Sequence, residues 1–202
     1  MHATLAKRAF NRPGWRFEHK LDGFRALARR ERNHIDLISR NGRPIGALFP
    51  EVVAALRNVP GDWLLDGELV VPDEHGHPVF ERVRRRGAMK IHSSIVASAR
   101  EMPAALCVFD LLVLGGDQDM RQLTLRDRQR WLASLIEPRP GLQLVSSIEE
   151  HGIELFQQAC ALDMEGIVAK DLASTYRAGV QTTWIKIKNP AYSRREALGF
   201  RS

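Results

Sequence analysis

The sequence predicts an α+β fold in which antiparallel sheets are flanked by helices. Short segments with alternating apolar residues recur along the chain and end at turn residues such as Asp22-Gly23, which is typical of hairpin strands. Other segments have apolar residues at helical spacing, so helices are inserted among the hairpins. Apolar residues make up 44% and charged residues 27% of the chain, which argues against a disordered or fibrous protein.

Eight segments are predicted as strands because they are short, rich in apolar residues and bounded by turn residues. In chain order they are 15–20, 24–29, 35–40, 63–71, 105–114, 142–148, 165–169 and 184–187. The second and third are expected to form a hairpin around Arg32-Asn33-His34, and Asp66-Gly67 is expected to break the fourth. The fifth is almost continuously apolar, which indicates a strand buried on both faces.

Four segments are predicted as helices from the spacing of their apolar residues, namely 48–56, 80–86, 123–136 and 153–162. Pro50 is compatible with the first, because a proline in the first turn removes no helical hydrogen bond. In the third, the residues expected to face inward are Leu125, Trp131, Leu132 and Leu135. The elements together are expected to form one domain, 1–190, followed by a polar C-terminal tail, 191–202.

The chain is strongly basic, with a formal net charge of +6, and a basic domain often binds polyanions such as nucleic acid. Two arginine clusters are candidate DNA-facing patches, 82–86 and 126–130, although each could also be a solvated helix face. The sequence shows no stretch that resembles a membrane span or a secretory signal. Cys107 and Cys160 are expected to be buried thiols of a reducing compartment.

Only six of the 30 basic residues are lysines, and four of them lie in short apolar segments. Lys20 ends the first predicted strand, just before Asp22-Gly23 and Arg25. A neighbouring cation and partial burial both lower the pKa of a lysine, and the neutral amine is a nucleophile. The alternative is an ordinary strand end with a salt-bridged turn.

Two glutamates and two further lysines lie in similarly apolar surroundings. Glu68 is inside a strand and Glu165 opens one, and a buried glutamate needs a cation, a hydroxyl group or a metal ion. Lys186 and Lys188 project from the same strand face, where a phosphate would satisfy both. The alternatives are exposed edge strands, on which such charges face water and guard against aggregation. Phe109, in the buried strand, is either a core residue or a stacking platform.

The order and spacing of these segments resemble the motif series of the covalent nucleotidyltransferases. The matching segments are Lys20-x-Asp22-Gly23-x-Arg25, Ser39-Arg40-Asn41-Gly42, Asp66-Gly67-Glu68, Phe109-Asp110, Glu165-Gly166-Ile167-Val168-Ala169-Lys170 and Trp184-Ile185-Lys186-Ile187-Lys188. Within that superfamily the chain is most similar to the adenylation domain of bacterial ATP-dependent DNA ligases of the end-joining type, over residues 15–190. The resemblance implies an ATP-grasp-like nucleotidyltransferase fold.

The resemblance also implies roles for individual residues in ATP binding. Lys20 would attack the α-phosphate of ATP and carry AMP as a phosphoramidate. Glu18 would read the amino group of adenine, and Phe109 would stack on the ring. Arg25 and Glu68 would contact the ribose.

The remaining implied roles concern phosphates and metal. Lys186 and Lys188 would hold the α-phosphate, while Glu68 and Glu165 would lie near a Mg²⁺ or Mn²⁺ ion. Arg40 would belong to the same ATP site and meet the 5′-phosphate of a DNA nick. For Lys170 two roles stay open, a phosphate contact or a structural one.

The chain departs from the family pattern in two places. Ligases of this family usually continue into an OB-fold domain, but only 14 residues follow Lys188, so we expect that domain to be absent, either naturally or because the chain is a piece. The family often has an arginine six residues before Lys186, where this chain has Val180, and Arg177 is the candidate substitute.

The resemblance implies a monomeric DNA-repair ligase of the bacterial cytoplasm, associated with the nucleoid. Its partners would be nicked or broken duplex DNA and an OB-fold domain or end-joining protein acting in trans, with no membrane. Two alternatives stay open. One is an RNA ligase or another nucleotidyltransferase, and the other is a non-catalytic nucleic-acid-binding module on the same fold.

Overall fold

The computed structural model describes residues 1–193 of the chain and contains eleven strands and five α-helices in that range. The strands are β1 (His2–Ala6), β2 (Trp15–His19), β3 (Phe24–Glu31), β4 (His34–Ser39), β5 (Trp63–Val70), β6 (Ala105–Leu114), β7 (Gln118–Asp119), β8 (Leu142–Leu144), β9 (Ser147–Glu149), β10 (Gly166–Asp171) and β11 (Val180–Lys188). The helices are α1 (Pro50–Leu56), α2 (Phe80–Gly87), α3 (His92–Glu101), α4 (Leu125–Leu135) and α5 (Gly152–Ala161). The predicted α+β class is confirmed.

These elements form two compact units, each built around one sheet. Among the described residues, the first unit contains 1–21, 121–127 and 145–193, and the second contains 22–120 and 128–144. The expectation of a single domain over 1–190 stays a prediction. Of the predicted tail, Tyr192 is buried and Ser193 hydrogen-bonds to Asp163, while residues 194–202 lie outside the described residues.

The sheet of the first unit has the strand order β1-β11-β10-β2-β9, in which β1 and β11 are parallel and the other pairs antiparallel. One face carries the core of this unit, where Phe17, Ile167 and Ile187 are buried together with Leu155 and Ala159 of α5. Because side chains alternate along a strand, the residues between these core positions project from the opposite face.

The sheet of the second unit has the order β4-β3-β5-β6-β7, with the short β8 parallel to β6. Helices α1 and α2 pack on strands of this sheet, and α3 packs against α1. Strand β5 is continuous rather than broken, and Asp66-Gly67 instead forms an irregularity in its pairing with β6. A Cβ at Gly67 would lie 2.9 Å from the Cys107 carbonyl oxygen, so glycine allows the two backbones to approach closely.

Most of the predicted elements are confirmed. The hairpin of β3 and β4 turns at Arg32, whose φ of 55° is the left-handed conformation that such a turn needs, and His34 belongs to the second strand. The single strand predicted over 142–148 is wrong, because β8 and β9 pair in different sheets. Strands β1 and β7 and helix α3 were not expected.

The predicted inward face of α4 is wrong at one position. Trp131 is 48% exposed, although Leu125 and Leu132 are buried as expected. The residue that shares their side of the helix is Arg128, which is fully buried. Trp131 is displaced by about 100° around the helix from Leu132, because an α-helix has about 3.6 residues per turn.

Two arginines of the proposed DNA-facing clusters are buried, so that prediction is wrong for them. Arg128 Nε and Nη2 donate to the two carboxylate oxygens of Asp110 at 2.7 and 2.9 Å, and both side chains are fully buried. Arg86 is held by Glu51 at 2.7 Å and donates to backbone carbonyls, including that of Met102. A buried guanidinium needs internal partners, which both arginines have, although the Nε atom of Arg86 donates no hydrogen bond.

Within residues 1–193 the structure contains no helix long and apolar enough to span a membrane. Both cysteines are free thiols and are partly buried.

Candidate active site

Most of the candidate functional residues of the first unit lie on the polar face of its sheet. In the strand register, Val168 pairs with both Glu18 and Lys186, and Lys170 pairs with Arg16 and Trp184. These residues alternate with the core positions and share the opposite face, where Lys188 lies two residues beyond Lys186. The two lysines of β11 therefore project on the same side, as their spacing predicts.

Glu165 contacts two lysines, Lys20 and Lys188, at one end of this face. Its Oε2 accepts a hydrogen bond from Lys20 Nζ, and its Oε1 lies 3.5 Å from Lys188 Nζ. The Glu165 side chain is 6% exposed, whereas those of Lys20 and Lys188 are 23% and 32% exposed. A nearly buried carboxylate is thus paired with two ammonium groups that remain accessible from solvent.

The backbone at Gly166 holds Glu165 in this position. Gly166 has a φ of 137°, and a Cβ there would lie 2.0 Å from the Ile187 carbonyl oxygen. Its own carbonyl accepts the backbone N–H of Lys20 at 2.8 Å. Only glycine fits this approach, and the result is that Lys20 and Glu165 emerge at adjacent points of neighbouring strands.

Asn189 is a site residue that the sequence prediction missed. Its backbone N–H donates to the Glu165 carbonyl at 2.9 Å, and its side-chain amide donates to the Met164 carbonyl at 3.1 Å. It is 4% exposed, so it fixes the Glu165 turn from inside the protein. In the sequence, its position directly after Lys188 is the only indication that Asn189 belongs to the site.

Glu18 and Lys170 form a second, buried ion pair on the same face. Lys170 Nζ lies 2.5 Å from Glu18 Oε2, and the two side chains are 2% and 3% exposed. Lys170 Nζ also lies 4.2 Å from the centroid of the Trp184 ring, which is a cation–π contact. On the other side, Arg16 Nε lies 3.1 Å from Glu18 Oε1, without hydrogen-bond geometry.

The second unit brings together Arg25, Glu68 and Phe109. Arg25 pairs with Glu68 in the β3–β5 register and makes a two-point ion pair with Asp66, with N···O distances of 2.6 and 3.0 Å. Its guanidinium lies 5.5 Å from the centroid of the Phe109 ring. Arg25, which was expected to place a cation beside Lys20, is therefore engaged by a carboxylate.

Glu68 also affects its neighbour on β6. Cys107 pairs with Glu68 in the strand register. Burial, and secondly the negative charge of Glu68, raise the pKa of the Cys107 thiol to about 12. The half-buried Glu68 carboxylate thus lies in the sheet as the sequence indicated, next to an arginine on one side and a neutral thiol on the other.

The two remaining candidates are exposed. Arg40 follows β4, and its backbone N–H donates to the Arg25 carbonyl at 3.1 Å. Arg177 lies in the segment before β11, where its Nε donates to the Thr175 hydroxyl at 3.2 Å. Its proposed substitution for Val180 stays a prediction.

Residues 1–193 contain no group of three or more histidine, cysteine, aspartate or glutamate side chains arranged to hold a metal ion. The two carboxylates expected near a metal, Glu68 and Glu165, lie in different units. Mg²⁺ commonly binds one or two protein carboxylates together with substrate phosphates, and the carboxylates of Glu165 and Glu68 are suitable ligands of this type.

Comparison with protein families gives a match over almost the whole described chain. A family model described as the ATP-dependent DNA ligase domain matches residues 2–188. The multifunctional non-homologous end joining protein LigD of Pseudomonas aeruginosa is 34% identical over 178 residues, which is 86% of this chain and 20% of that protein. DNA ligase C1 of Mycolicibacterium smegmatis is 32% identical over 196 residues, which is 93% of this chain and 55% of that protein. The chain thus spans between a fifth and about half of these relatives.

Solved structures agree with this match. The ligase domain of M. tuberculosis LigD superimposes with a TM-score of 0.73 at 27% identity, covering 93% of this chain and 60% of that one. A mycobacterial DNA ligase D in complex with ATP has a TM-score of 0.68 at 27% identity, with the same coverage.

Proposed function

This chain belongs to the ATP-dependent DNA ligase domain family, and from that premise we propose that it is the adenylation domain of an end-joining DNA ligase. In this proposal Lys20 takes AMP from ATP, and the AMP then passes to the 5′-phosphate of broken or nicked DNA. The observation that carries the proposal is the arrangement of Lys20 and Lys188 around the nearly buried carboxylate of Glu165.

The first chemical step uses these three residues. Lys20 Nζ, once deprotonated, attacks the α-phosphorus of ATP, an N–P bond forms, and the bond to the pyrophosphate oxygen breaks. Glu165 Oε2 contacts Lys20 Nζ and is therefore within reach to accept its proton. Lys188 and Lys186 offer positive charge to the α-phosphate oxygens, where negative charge develops in the transition state.

Base recognition is proposed for Glu18. The Oε1 atom of this buried carboxylate accepts no hydrogen bond within the described structure. Arg16 Nε, 3.1 Å away, offers charge without hydrogen-bond geometry, and the exocyclic amino group of adenine would supply the missing donor. The nucleotide would thus complete the hydrogen bonding of a group that the fold leaves incomplete.

The second unit supplies further proposed contacts to the nucleotide. Arg25 and Glu68, adjacent in the sheet, are proposed to contact the ribose. Phe109, whose ring lies 5.5 Å from the Arg25 guanidinium, is proposed to stack on adenine. The exposed Arg40 is proposed to belong to the same ATP site and to meet the 5′-phosphate of the nick.

A divalent ion, Mg²⁺ or Mn²⁺, is proposed to bind oxygens of Glu165, with Glu68 as the second carboxylate. When bound, the ion would neutralise negative charge on the phosphate oxygens of ATP. The residues of this chain would meanwhile orient the phosphate through Lys186 and Lys188.

The acceptor is proposed to be nicked or broken duplex DNA, held mainly through its phosphates. The exposed Arg84 and Arg85 remain candidates for such contacts, in contrast to the buried Arg86. A monomer in the bacterial cytoplasm, working with an OB-fold domain or an end-joining protein in trans, completes the proposal.

Intact-protein mass spectrometry after incubation with ATP and Mg²⁺ or Mn²⁺ tests the proposal. The expected result is a gain of one AMP, absent in Lys20→Ala, followed by loss of that AMP when nicked duplex is added. No gain in the wild-type protein, together with no sealing of a pre-adenylated nick, would contradict it.

A further inference from the structure

Lys170 differs from the other lysines of the polar face because it does not reach solvent. Its side chain is 2% exposed, compared with 23% for Lys20 and 32% for Lys188. Its ammonium group is enclosed between the Glu18 carboxylate at 2.5 Å and the Trp184 ring at 4.2 Å. The charge of Lys170 is thus already balanced by a carboxylate and an aromatic ring, which favours the structural alternative over a phosphate contact.

Each oxygen of Glu18 lies beside one cation, because Oε2 is 2.5 Å from Lys170 Nζ and Oε1 is 3.1 Å from Arg16 Nε. Neither cation donates a hydrogen bond to the carboxylate, and Oε1 accepts none in the described structure. A carboxylate can rotate about its terminal bond, which has a broad torsional preference. A short charged contact to one oxygen removes that freedom and fixes the direction of the other.

The register of the sheet makes this contact rigid. Lys170 lies on the central strand β10, directly between Arg16 of β2 and Trp184 of β11. Trp184 is 3% exposed, so its ring excludes water from the ammonium group and limits its positions. A site held by packed side chains on strands is more precise than one on a loop.

We propose that Lys170 is a positioning residue for base recognition, which holds the Glu18 carboxylate so that Oε1 accepts a hydrogen bond from the amino group of adenine. This inference rests on the nucleotide role proposed above for Glu18. Lys170 contacts neither the base nor the phosphates. Its effect is to make the protein distinguish purines that carry a 6-amino group from purines that do not, because an analogue without that group leaves a buried acceptor unpaired.

The test compares two nucleotides in which the pyrophosphate cannot leave, the α,β-methylene forms of ATP and of purine riboside triphosphate, which lacks the amino group. Calorimetry gives the dissociation constant of each for the wild-type protein, K170M, K170R, E18Q and the double variant K170M/E18Q. Lys90 is exposed, so K90M is the matched control for loss of a lysine.

The wild-type protein and K90M are expected to prefer the adenine nucleotide by at least about tenfold, since a site built to pair a polar group strongly rejects an analogue without it. In K170M the preference falls to within about threefold, while affinity for the analogue changes little. K170R retains most of the preference. E18Q loses it, and adding K170M to E18Q causes no further loss, as expected for residues that act through one contact.

Three results would overturn the proposal. K170M weakening both nucleotides equally would show that Lys170 acts on the phosphates or on the fold. Equal affinity of the wild-type protein for both nucleotides would show that no amino group is read. An unchanged preference in K170M, or in K170Q if K170M does not fold, would show that Lys170 does not position Glu18.

The binding readout keeps this inference separate from the proposed function. A protein that binds the adenine nucleotide selectively, and loses the selectivity in K170M, supports the role of Lys170 even if Lys20 never gains AMP.

Discussion

Replacing Gly166 by alanine should damage both stability and activity, because two independent penalties meet at this residue. Its φ of 137° is strained for any residue with a side chain, and such strain costs about 1–3 kcal/mol. The new Cβ would lie 2.0 Å from the Ile187 carbonyl oxygen, which must retreat by about 1 Å to reach 3.0 Å. Overpacking of this kind costs about 1–3 kcal/mol more. The total expected loss in the free energy of unfolding is about 2–6 kcal/mol.

Gly14→Ala is the matched control. Gly14 lies in the same unit and has a φ of 76°, but a Cβ there would have no atom within 4 Å. Its expected cost is the conformational penalty alone, about 1–2 kcal/mol. Urea unfolding followed by tryptophan fluorescence compares the two variants.

The same displacement should slow AMP transfer. It moves the end of β11, and with it Lys188, relative to Glu165, and a misplacement of 1 Å can reduce a rate by about 10²-fold. Equal unfolding midpoints for both variants, together with an unchanged rate of adenylation in Gly166→Ala, would refute this account of the Glu165 turn.

Three further predictions concern two buried polar groups of the second unit, Arg128 and Cys107. Arg128→Met removes the buried arginine that pairs with Asp110 and should destabilise the protein by about 3–5 kcal/mol. Arg126→Met, the control, removes only an exposed contact and should cost less than about 1 kcal/mol. Equal unfolding midpoints of the two variants in urea would contradict this prediction. Cys107 should resist alkylation at pH 8 that readily modifies the unfolded chain, since its thiol pKa is raised to about 12, and rapid labelling in the folded protein would show that the burial is wrong. Folding raises the pKa of this thiol above the ordinary value of 9.0, so its contribution to the free energy of unfolding is fully present below pH 9. As the pH rises from 9 towards 12, that contribution should be lost by up to about 1.4 kcal/mol per pH unit. Cys107→Ala should not show this loss.

The sequence was most informative where hydrophobic periodicity and turn chemistry act locally. The hairpin of β3 and β4 and the buried strand β6 follow directly from such patterns. The shared face of Lys186 and Lys188 follows from the two-residue period of a strand alone. The resemblance to the ligase family, which rested on the order of six short motifs, agrees with the family match over residues 2–188.

What the sequence could not reveal depends on contacts between distant segments. Arg86 and Arg128 look like surface charges, because the carboxylates that accept them, Glu51 and Asp110, are far away in the chain. Trp131 looks like a core residue because it is large and apolar, and the sequence does not show that Arg128 occupies the buried side of α4 instead. A one-dimensional pattern does not show which side of a helix an arginine will occupy when a buried partner is available.

The positions of the site carboxylates were likewise beyond local reasoning. That Glu165 should pair with Lys20 requires the antiparallel register of β2 and β10. The contact of Lys170 with Glu18 requires the same register, because Glu18 lies opposite Val168, two residues from Lys170 on β10. The motif comparison placed these residues in one site without indicating which lysine each carboxylate contacts.

The most direct test of the central claim is to locate the AMP in the chain. After reaction with ATP and a divalent metal ion, the protein is digested and the peptides are sequenced by mass spectrometry under conditions that preserve the acid-labile N–P bond. The account predicts a single AMP on Lys20 and none on Lys188, although both ammonium groups contact Glu165. AMP on Lys188, or on several lysines of the exposed surface, would contradict the assignment of Lys20 as the nucleophile.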